Sequence, residues 1–269
     1  MGDPTPEQVA SNWNLVARRY GSHLDPMTAL YAADAVELVA PTADDRVLDV
    51  ASGFGAATLI AARLAGDVVA IDFSSEMCAA LRERAQREGA DNVTVHEMDA
   101  QALDLPADHF DAALSSFGAM ICPDRGKAFA EMARVTRPGG RLAVSSWQAP
   151  PNNEWLQIFM TTVTTALPDQ TPPTPPPFME LADPERLRSE VEAARWTDVE
   201  VVGVTHQAHW ADADAAWAAI AESNPLFGPL LEQLPDDVSG RVRATFGDLI
   251  DERGDAHLTA GAWVASGRA

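Results

Sequence analysis

Apolar and polar positions change rhythm along the chain. Over residues 5–20, Trp13, Val16, Ala17 and Tyr20 recur at helical spacing, and Thr5 followed by Pro6 reads as a helix start. A second helix is expected from about Met27 to Val39, stopped by Pro41. From residue 46 the rhythm becomes one of short apolar runs alternating with amphipathic stretches. "RVLDV", "VVAID", "VTVHEMD", "FDAALSS" and "RLAVSSW" read as strands. "AATLIAARLA", "SSEMCAALRERAQREG" and "GKAFAEMARVT" read as helices, ended by Gly66, Gly89 and the run Pro138-Gly139-Gly140. Strand, helix and strand with short connections imply parallel pairing and right-handed crossovers. The expected fold is therefore an α/β doubly wound sheet. Its ligand belongs at the carboxyl ends of the strands, near the switch in strand order.

Beyond Trp147 the pattern loosens. "NNEWLQIFMTTVTTALP" is helical in spacing, whereas "DQTPPTPPPF" excludes a helix or central strand because proline fixes φ and lacks the donor. A stiff surface connection is expected there. Residues 184–194 return to a helix and "DVEVVGVTH" to a strand. An apolar helical insertion covers about 211–252, and "HLTAGAWVASGR" closes as a last strand.

Charge narrows the partners. The formal net charge is −21 over 269 residues, and such a surface repels nucleic-acid phosphates and anionic lipids. No nucleic-acid or membrane partner is expected. Cys78 and Cys122 are the two cysteines, with no spacing that suggests a disulfide frame or zinc site, which fits a reducing, cytoplasmic setting. "MGDPTPEQVASNW" lacks the basic and apolar regions of a signal peptide.

The candidate chemistry sits in "RVLDVASGFGAAT", residues 46–58. A dinucleotide fingerprint wants G-x-G-x-x-G after the strand, but here Thr58 stands where the third glycine belongs. Asp49, at the strand end, would repel a pyrophosphate but suits a ligand carrying an amino group. Asp72 closes the second strand, where a carboxylate accepts ribose hydroxyls. Asp99 closes the third, near where an adenine edge would lie. Three acids at successive strand ends trace amine, sugar and base.

These stretches, with "VVAIDFSSEMC", "EMDAQALDLPADHFDAALSSFG" and "AFAEMARVTRPGGRLAVSSW", resemble the class I S-adenosylmethionine-dependent methyltransferases. The likeness covers residues 46–147 and is nearest to the ubiquinone/menaquinone-biosynthesis type and its small-molecule relatives. It implies a Rossmann-like seven-stranded sheet with its last strand antiparallel and helices on both faces; the apolar insertion at about 211–252, which such a core does not require, is expected to form a helical lid. Implied divisions are an N-terminal helical cap at 1–43, a cofactor-binding core at 44–148, a C-terminal part of the core with the proline-rich connection at 149–210, the lid insertion at 211–255 and a last core strand at 256–269. The first loop departs from the usual G-C-G-T-G text, with Ala51 replacing a glycine.

By the same resemblance, Asp49 and the loop Ala51, Ser52, Gly53 and Gly55 hold the methionine part of S-adenosyl-L-methionine, and Ser115 offers a carbonyl to its ammonium. Asp72 takes the ribose, with Phe73 and Met77 packing nearby. Asp99, Ala100 and Gln101 face the adenine. Tyr20 and His23 follow the first helix, where relatives fold over the cofactor, and His23 is the candidate base. Phe117, Met120, Trp147 and Trp155 are candidate walls of the acceptor pocket. His206 and His209 lack an obvious third ligand, so no metal is expected. Methyl transfer to oxygen or carbon of an apolar small molecule is expected, such as a quinone precursor, polyketide or other specialised metabolite, by a monomer or homodimer. Two alternatives stay open: a cofactor-binding relative that catalyses cyclisation or decarboxylation instead, and a nicotinamide-dependent oxidoreductase.

Overall fold

A computed structural model describes residues 4–150, 152–168 and 176–269. The N-terminal segment opens on a 3-10 turn, Pro6–Gln8, and continues through α1 (Ala10–Arg19), a π turn (Tyr20–Leu24) and α2 (Asp25–Val39). The expected break between two helices is absent. Pro26 sits in the first turn of α2, where its missing N–H removes no helical bond, and the π turn absorbs the extra residue. Gly21 is required in that turn. A Cβ there would lie 2.5 Å from the Phe54 ring, so the helix passes directly over the loop after the first strand.

Strands and helices then alternate: β1 (Arg46–Val50), α3 (Ala56–Ala62), β2 (Asp67–Asp72), α4 (Ser75–Glu88), β3 (Val93–Glu97), β4 (Phe110–Ser115), α5 (Arg125–Val135) and β5 (Thr136–Trp147). After α6 (Glu154–Ala166) and α7 (Pro184–Ala193) comes β6 (Thr197–His209). The insertion holds α8 (Ala213–Trp217), a second π turn (Ala218–Glu222), α9 (Gly228–Glu232) and α10 (Asp236–Arg253), and β7 (His257–Arg268) closes the chain's order of elements. Residues 169–175 of the expected proline-rich connection lie outside the described residues.

The sheet order is β3-β2-β1-β4-β5-β7-β6. Strands β1 to β5 pair in parallel, and β7 runs antiparallel to both β5 and β6. Two sequence readings shift. Pro138-Gly139-Gly140 does not precede β5 but lies inside it, as a bulge between the pairs Phe110↔Thr136 and Ala112↔Arg141. Strand β3 ends at Glu97, so Asp99 stands in the turn beyond it.

Side chains alternate between faces with period two. Val47, Val68, Ala112 and Leu114 pack under α2 and α3, while Leu48, Val50, Ile71 and Ala113 join the larger core on the opposite face. Asp49 shares the Val47 face and therefore meets α3. The expected caps are present: Ser74 Oγ accepts the Met77 N–H at 3.1 Å, and Gly89 ends α4 at φ 68°. Among the described residues no helix is long and apolar enough to cross a membrane.

Candidate functional site

The carboxyl ends of β1, β2 and β4 meet at the β1–β4 switch in strand order, and there the loops are built to tight tolerance. Ala51, Gly53 and Gly55 all adopt left-handed backbone, at φ 54°, 53° and 89°. Gly55 caps α3 against Leu81, whose Cδ1 would lie 2.0 Å from an added Cβ. On the β4 side Phe117 is also left-handed, at φ 60°, a costly conformation for a bulky residue. A Cβ on the next residue, Gly118, would fall 2.3 Å from Ala51 Cβ. The alanine that replaces the family's glycine is thus accommodated by a glycine on the neighbouring loop.

Asp49 is buried, with one oxygen accepting the Thr58 hydroxyl at 2.6 Å and its Oδ1 without a partner. Burial pushes its carboxyl up to about 7, and the charge of Asp72 adds to the rise. Asp72 accepts the backbone N–H of Gly53 at 2.8 Å and of Ser74 at 2.9 Å. Burial still pushes it up to about 6, against the lowering effect of those donors. Asp72 therefore fastens the glycine loop to the end of β2. Asp99 is exposed and accepts the Gln101 N–H at 2.8 Å and its side-chain amide at 3.0 Å.

These acids border two adjoining cavities, of about 110 and about 570 Å³. Asp49 and Asp72 line the first and Asp99 the second. Glu7, Ala51, Phe73, Gly118 and Ile121 line both, which makes the two one continuous groove across the strand ends. Tyr20, Ser52, Gly53, Phe117, Met120, Trp147 and Trp155 line the first cavity, and Ala100 and Gln101 the second. Phe117 stacks on Trp147 with centroids 3.8 Å apart, and Trp155 meets Trp147 edge-on at 5.5 Å.

Four candidate residues fall outside the groove. His23 is exposed on the π turn, which rotates it away from the strand ends. Met77, in the first turn of α4, is fully buried and lines neither cavity. Gly55 lies behind the loop, against α4. Ser115 is buried between strands, where its hydroxyl donates to Val50 O and accepts from Ala119 N–H, both at 2.8 Å. Its neighbour Ser116, in the bend just past the end of β4, lines the first cavity. His206 pairs with Asp34 at 2.7 Å and ties β6 to α2, while His209 packs on His257 rather than on His206. Among the described residues no group of three or more His, Cys, Asp and Glu could hold a metal.

Sequence reasoning also missed residues. Glu7 and Trp13 come from the N-terminal segment, Asp25 and Thr28 from α2, Phe178 from the turn before α7, and Asn224, Pro225 and Leu226 from the insertion. The Asn-Pro pair breaking an apolar helical run was a legible sign of a chain turning inward; Glu7 carried no comparable signal.

Whether the groove fits a cationic nucleoside can be tested on its own atoms. Among the described residues, five of the eight buried side-chain polar atoms without a partner belong to residues of the first cavity: Glu7, Asp49, Ser52, Ser116 and Trp155. Unpaired buried polar groups are costly and concentrate where a ligand completes them. Among the described residues no arginine, lysine or histidine lines either cavity; Asp25 is paired with Arg84, whereas Asp49 and Asp72 have no counter-cation. Arg84, the nearest competitor, is held outside by Asp25 at 2.9 Å and by the Phe54 ring. A ligand with an ammonium, a sulfonium and a sugar fits this donor and acceptor set. Sheet order and groove together define an S-adenosylmethionine-dependent methyltransferase with a Rossmann-like core.

Comparison with known proteins narrows the class. The family model described as a methyltransferase domain matches residues 48–144. A demethylmenaquinone methyltransferase from Mycobacterium sp. (strain KMS) is 32% identical over 211 residues, covering 73% of this chain and 89% of the relative. In fold, the crystal structure of the [4+2]-cyclase SpnF is similar at TM-score 0.61 and 19% identity, covering 98% of this chain and 96% of that one. A Haemonchus contortus phosphoethanolamine N-methyltransferase 2, in complex with S-adenosyl-L-methionine, is similar at TM-score 0.57 and 15% identity, covering 97% of this chain and 57% of that one. The chain belongs to the menaquinone- and ubiquinone-type methyltransferase family. It is an enzyme whose methyl donor is S-adenosyl-L-methionine.

Proposed function

We propose that the enzyme methylates a ring carbon of an apolar, quinol-type aromatic acceptor. The observation that carries this reading is the acceptor end of the groove, walled by Phe117, Trp147, Trp155 and Phe178 and lacking any basic side chain. A flat apolar ring suits such a wall; an acceptor bearing a phosphate or carboxylate would find no cation there. The demethylmenaquinone relative agrees with it.

Residue roles follow from position. Asp49 and the loop from Ala51 to Gly53 hold the amino-acid portion of the cofactor, Asp72 its ribose, and Phe73, Asp99, Ala100 and Gln101 its base. When bound, S-adenosyl-L-methionine supplies a methyl already activated on a sulfonium. The protein's work is then alignment and exclusion of water. The N-terminal segment and the insertion, through Glu7, Tyr20 and Leu226, cover the groove and serve as its lid.

Carbon is favoured over oxygen by the quinone-type relatives, one of which is described as a C-methyltransferase; either transfer releases one proton, for which Glu7, its Oε2 without a partner, is the free carboxylate at the first cavity. No histidine lines it, and burial pushes the Tyr20 phenol well above its ordinary range, so that hydroxyl stays protonated. Purified protein incubated with methyl-labelled cofactor and a panel of reduced naphthoquinols, phenols and polyketides tests this. Carbon-bound label on a naphthoquinol, located by NMR, is the expected product. Transfer to phenolic oxygen alone, with naphthoquinols inert, would refute the reading.

A further inference from the structure

We propose that Trp155 recognises an oxygen of the methyl acceptor, its indole N–H donating to a neutral carbonyl or phenolic oxygen on the bound ring. This rests on the aromatic-acceptor reading above and specifies how that ring is oriented.

Trp155 is 5% exposed, lines the first cavity, and its Nε1 has no hydrogen-bond partner. Four of the other six indoles are paired, and among the described residues Trp155 is the one tryptophan whose Nε1 is both buried and without a partner. Trp13, Trp196, Trp217 and Trp263 donate to Glu7 O, Phe129 O, a Glu222 carboxylate oxygen and Ala182 O, at 2.8, 3.1, 3.0 and 2.8 Å. An indole N–H can only donate, so whatever completes Trp155 must offer a lone pair. Its ring neighbour Trp147 offers no such acceptor, and Trp147 is itself stacked on Phe117.

Its place in the fold separates it from the cofactor's polar contacts. Trp155 stands in the first turn of α6, just after Asn153, whose amide donates to Gln148 O at 3.3 Å and whose backbone bridges to Ala260 of β7. It is therefore anchored at the β5/β7 side of the groove. Asp49 and Asp72 lie on β1 and β2, and β4 and β5 intervene in the order β2-β1-β4-β5-β7. With strands about 4.8 Å apart, the β1 carboxylate and the β5 edge are roughly 10 Å apart. An acceptor spanning that distance would place its oxygen at Trp155, its ring against Phe117 and Trp147, and its reacting carbon toward the cofactor. The absence of any cation along the groove makes that oxygen a neutral one.

The test reads the indole directly. Protein labelled with 15N at tryptophan, saturated with S-adenosylhomocysteine, is titrated with 1,4-naphthoquinone, 1-naphthol and naphthalene. The Trp155 Nε1–H resonance is identified by its loss in Trp155→Phe, or by sequential assignment if that variant does not fold. A downfield shift with both oxygen-bearing probes, and none with naphthalene, is expected. In turnover, Trp155→Phe should lower kcat/KM for a naphthoquinol about threefold to tenfold, the range for a lost hydrogen bond between neutral groups. Its Kd for the cofactor should stay within about twofold, in the range usual for a substitution that leaves a site's own contacts intact. A shift produced by S-adenosylhomocysteine alone would assign the N–H to the cofactor's carboxylate and overturn the proposal. Naphthoquinol turnover with an unresponsive Trp155 would overturn it while leaving the quinol reading intact. A Trp155 response to 1-naphthol with naphthoquinols inert would do the reverse, and failure of every oxygen-bearing probe to bind would remove both.

Discussion

Asp49→Asn should make the free enzyme more stable and the cofactor complex weaker. The side chain is 1% exposed, one oxygen is unpartnered, and burial raises its carboxyl from 3.8 to about 7. Because the folded-state value lies above the unfolded one, the folded protein binds the extra proton between those limits. Stability is greatest on the acid side and is lost as pH rises through the window. Above pH 7 the folded state carries the whole penalty of an ionised, buried carboxylate. Three units correspond to roughly 4 kcal/mol at about 1.4 kcal/mol per unit. Asparagine removes the charge and keeps an acceptor for the Thr58 hydroxyl. It also leaves an amide N–H unpaired, at a cost of about 1–3 kcal/mol. A net gain of about 1–3 kcal/mol at pH 8 remains, and it vanishes near pH 5.5, where the wild-type carboxyl is protonated. The cofactor's ammonium loses its buried partner, which costs about 2 kcal/mol or more, or at least about thirtyfold in Kd. Urea unfolding at both pH values and calorimetric titration with S-adenosyl-L-methionine measure the two effects. A variant less stable than wild type at pH 8, or with unchanged Kd, would show that Asp49 serves the fold rather than the ligand.

Other outcomes follow from the same geometry. Between pH 5 and 7 cofactor affinity of the wild type should rise toward tenfold per pH unit, because binding a cation displaces the Asp49 proton, and should level off above 7; calorimetry in buffers of different ionisation enthalpy counts the protons released. Asp72→Ala should weaken cofactor binding, since the N–H groups of Gly53 and Ser74 lose the acceptor that fixes the glycine loop; an unchanged Kd would disprove the fastening role. Gly118→Ala should cost about 1–3 kcal/mol through its clash with Ala51. Adding Ala51→Gly should restore part of that loss, and a purely additive double variant would show that the two loops do not meet as described.

The fold was largely legible in the chain because its signals are local. Period-two apolar runs and 3.6-period amphipathic runs specify strands and helices, and short connections leave few ways to order them. The resemblance added the antiparallel last strand, which periodicity alone does not reveal. Local reasoning failed where tertiary contact overrides propensity. Residues 21–26 fell between two expected helices, yet the chain stays helical through a π turn there, with Gly21 against the Phe54 ring. The Pro-Gly-Gly run became a bulge because Thr136 still pairs with Phe110.

For the groove, the chain itself determined which strand ends carry the acids, because a strand's last residue and the turn after it are specified by a few neighbouring positions. It could not determine which side chains turn toward the groove, so His23, adjacent to the first helix in sequence, is exposed to solvent instead. Nor could it bring together Glu7, Phe178 and Asn224, which lie far apart in sequence and meet only when the first helix and the insertion pack over the sheet. Backbone propensity and periodicity act over a handful of residues. Burial, and the unpaired polar atoms and shifted acids that come with it, exists only after distant segments have excluded water from the same space.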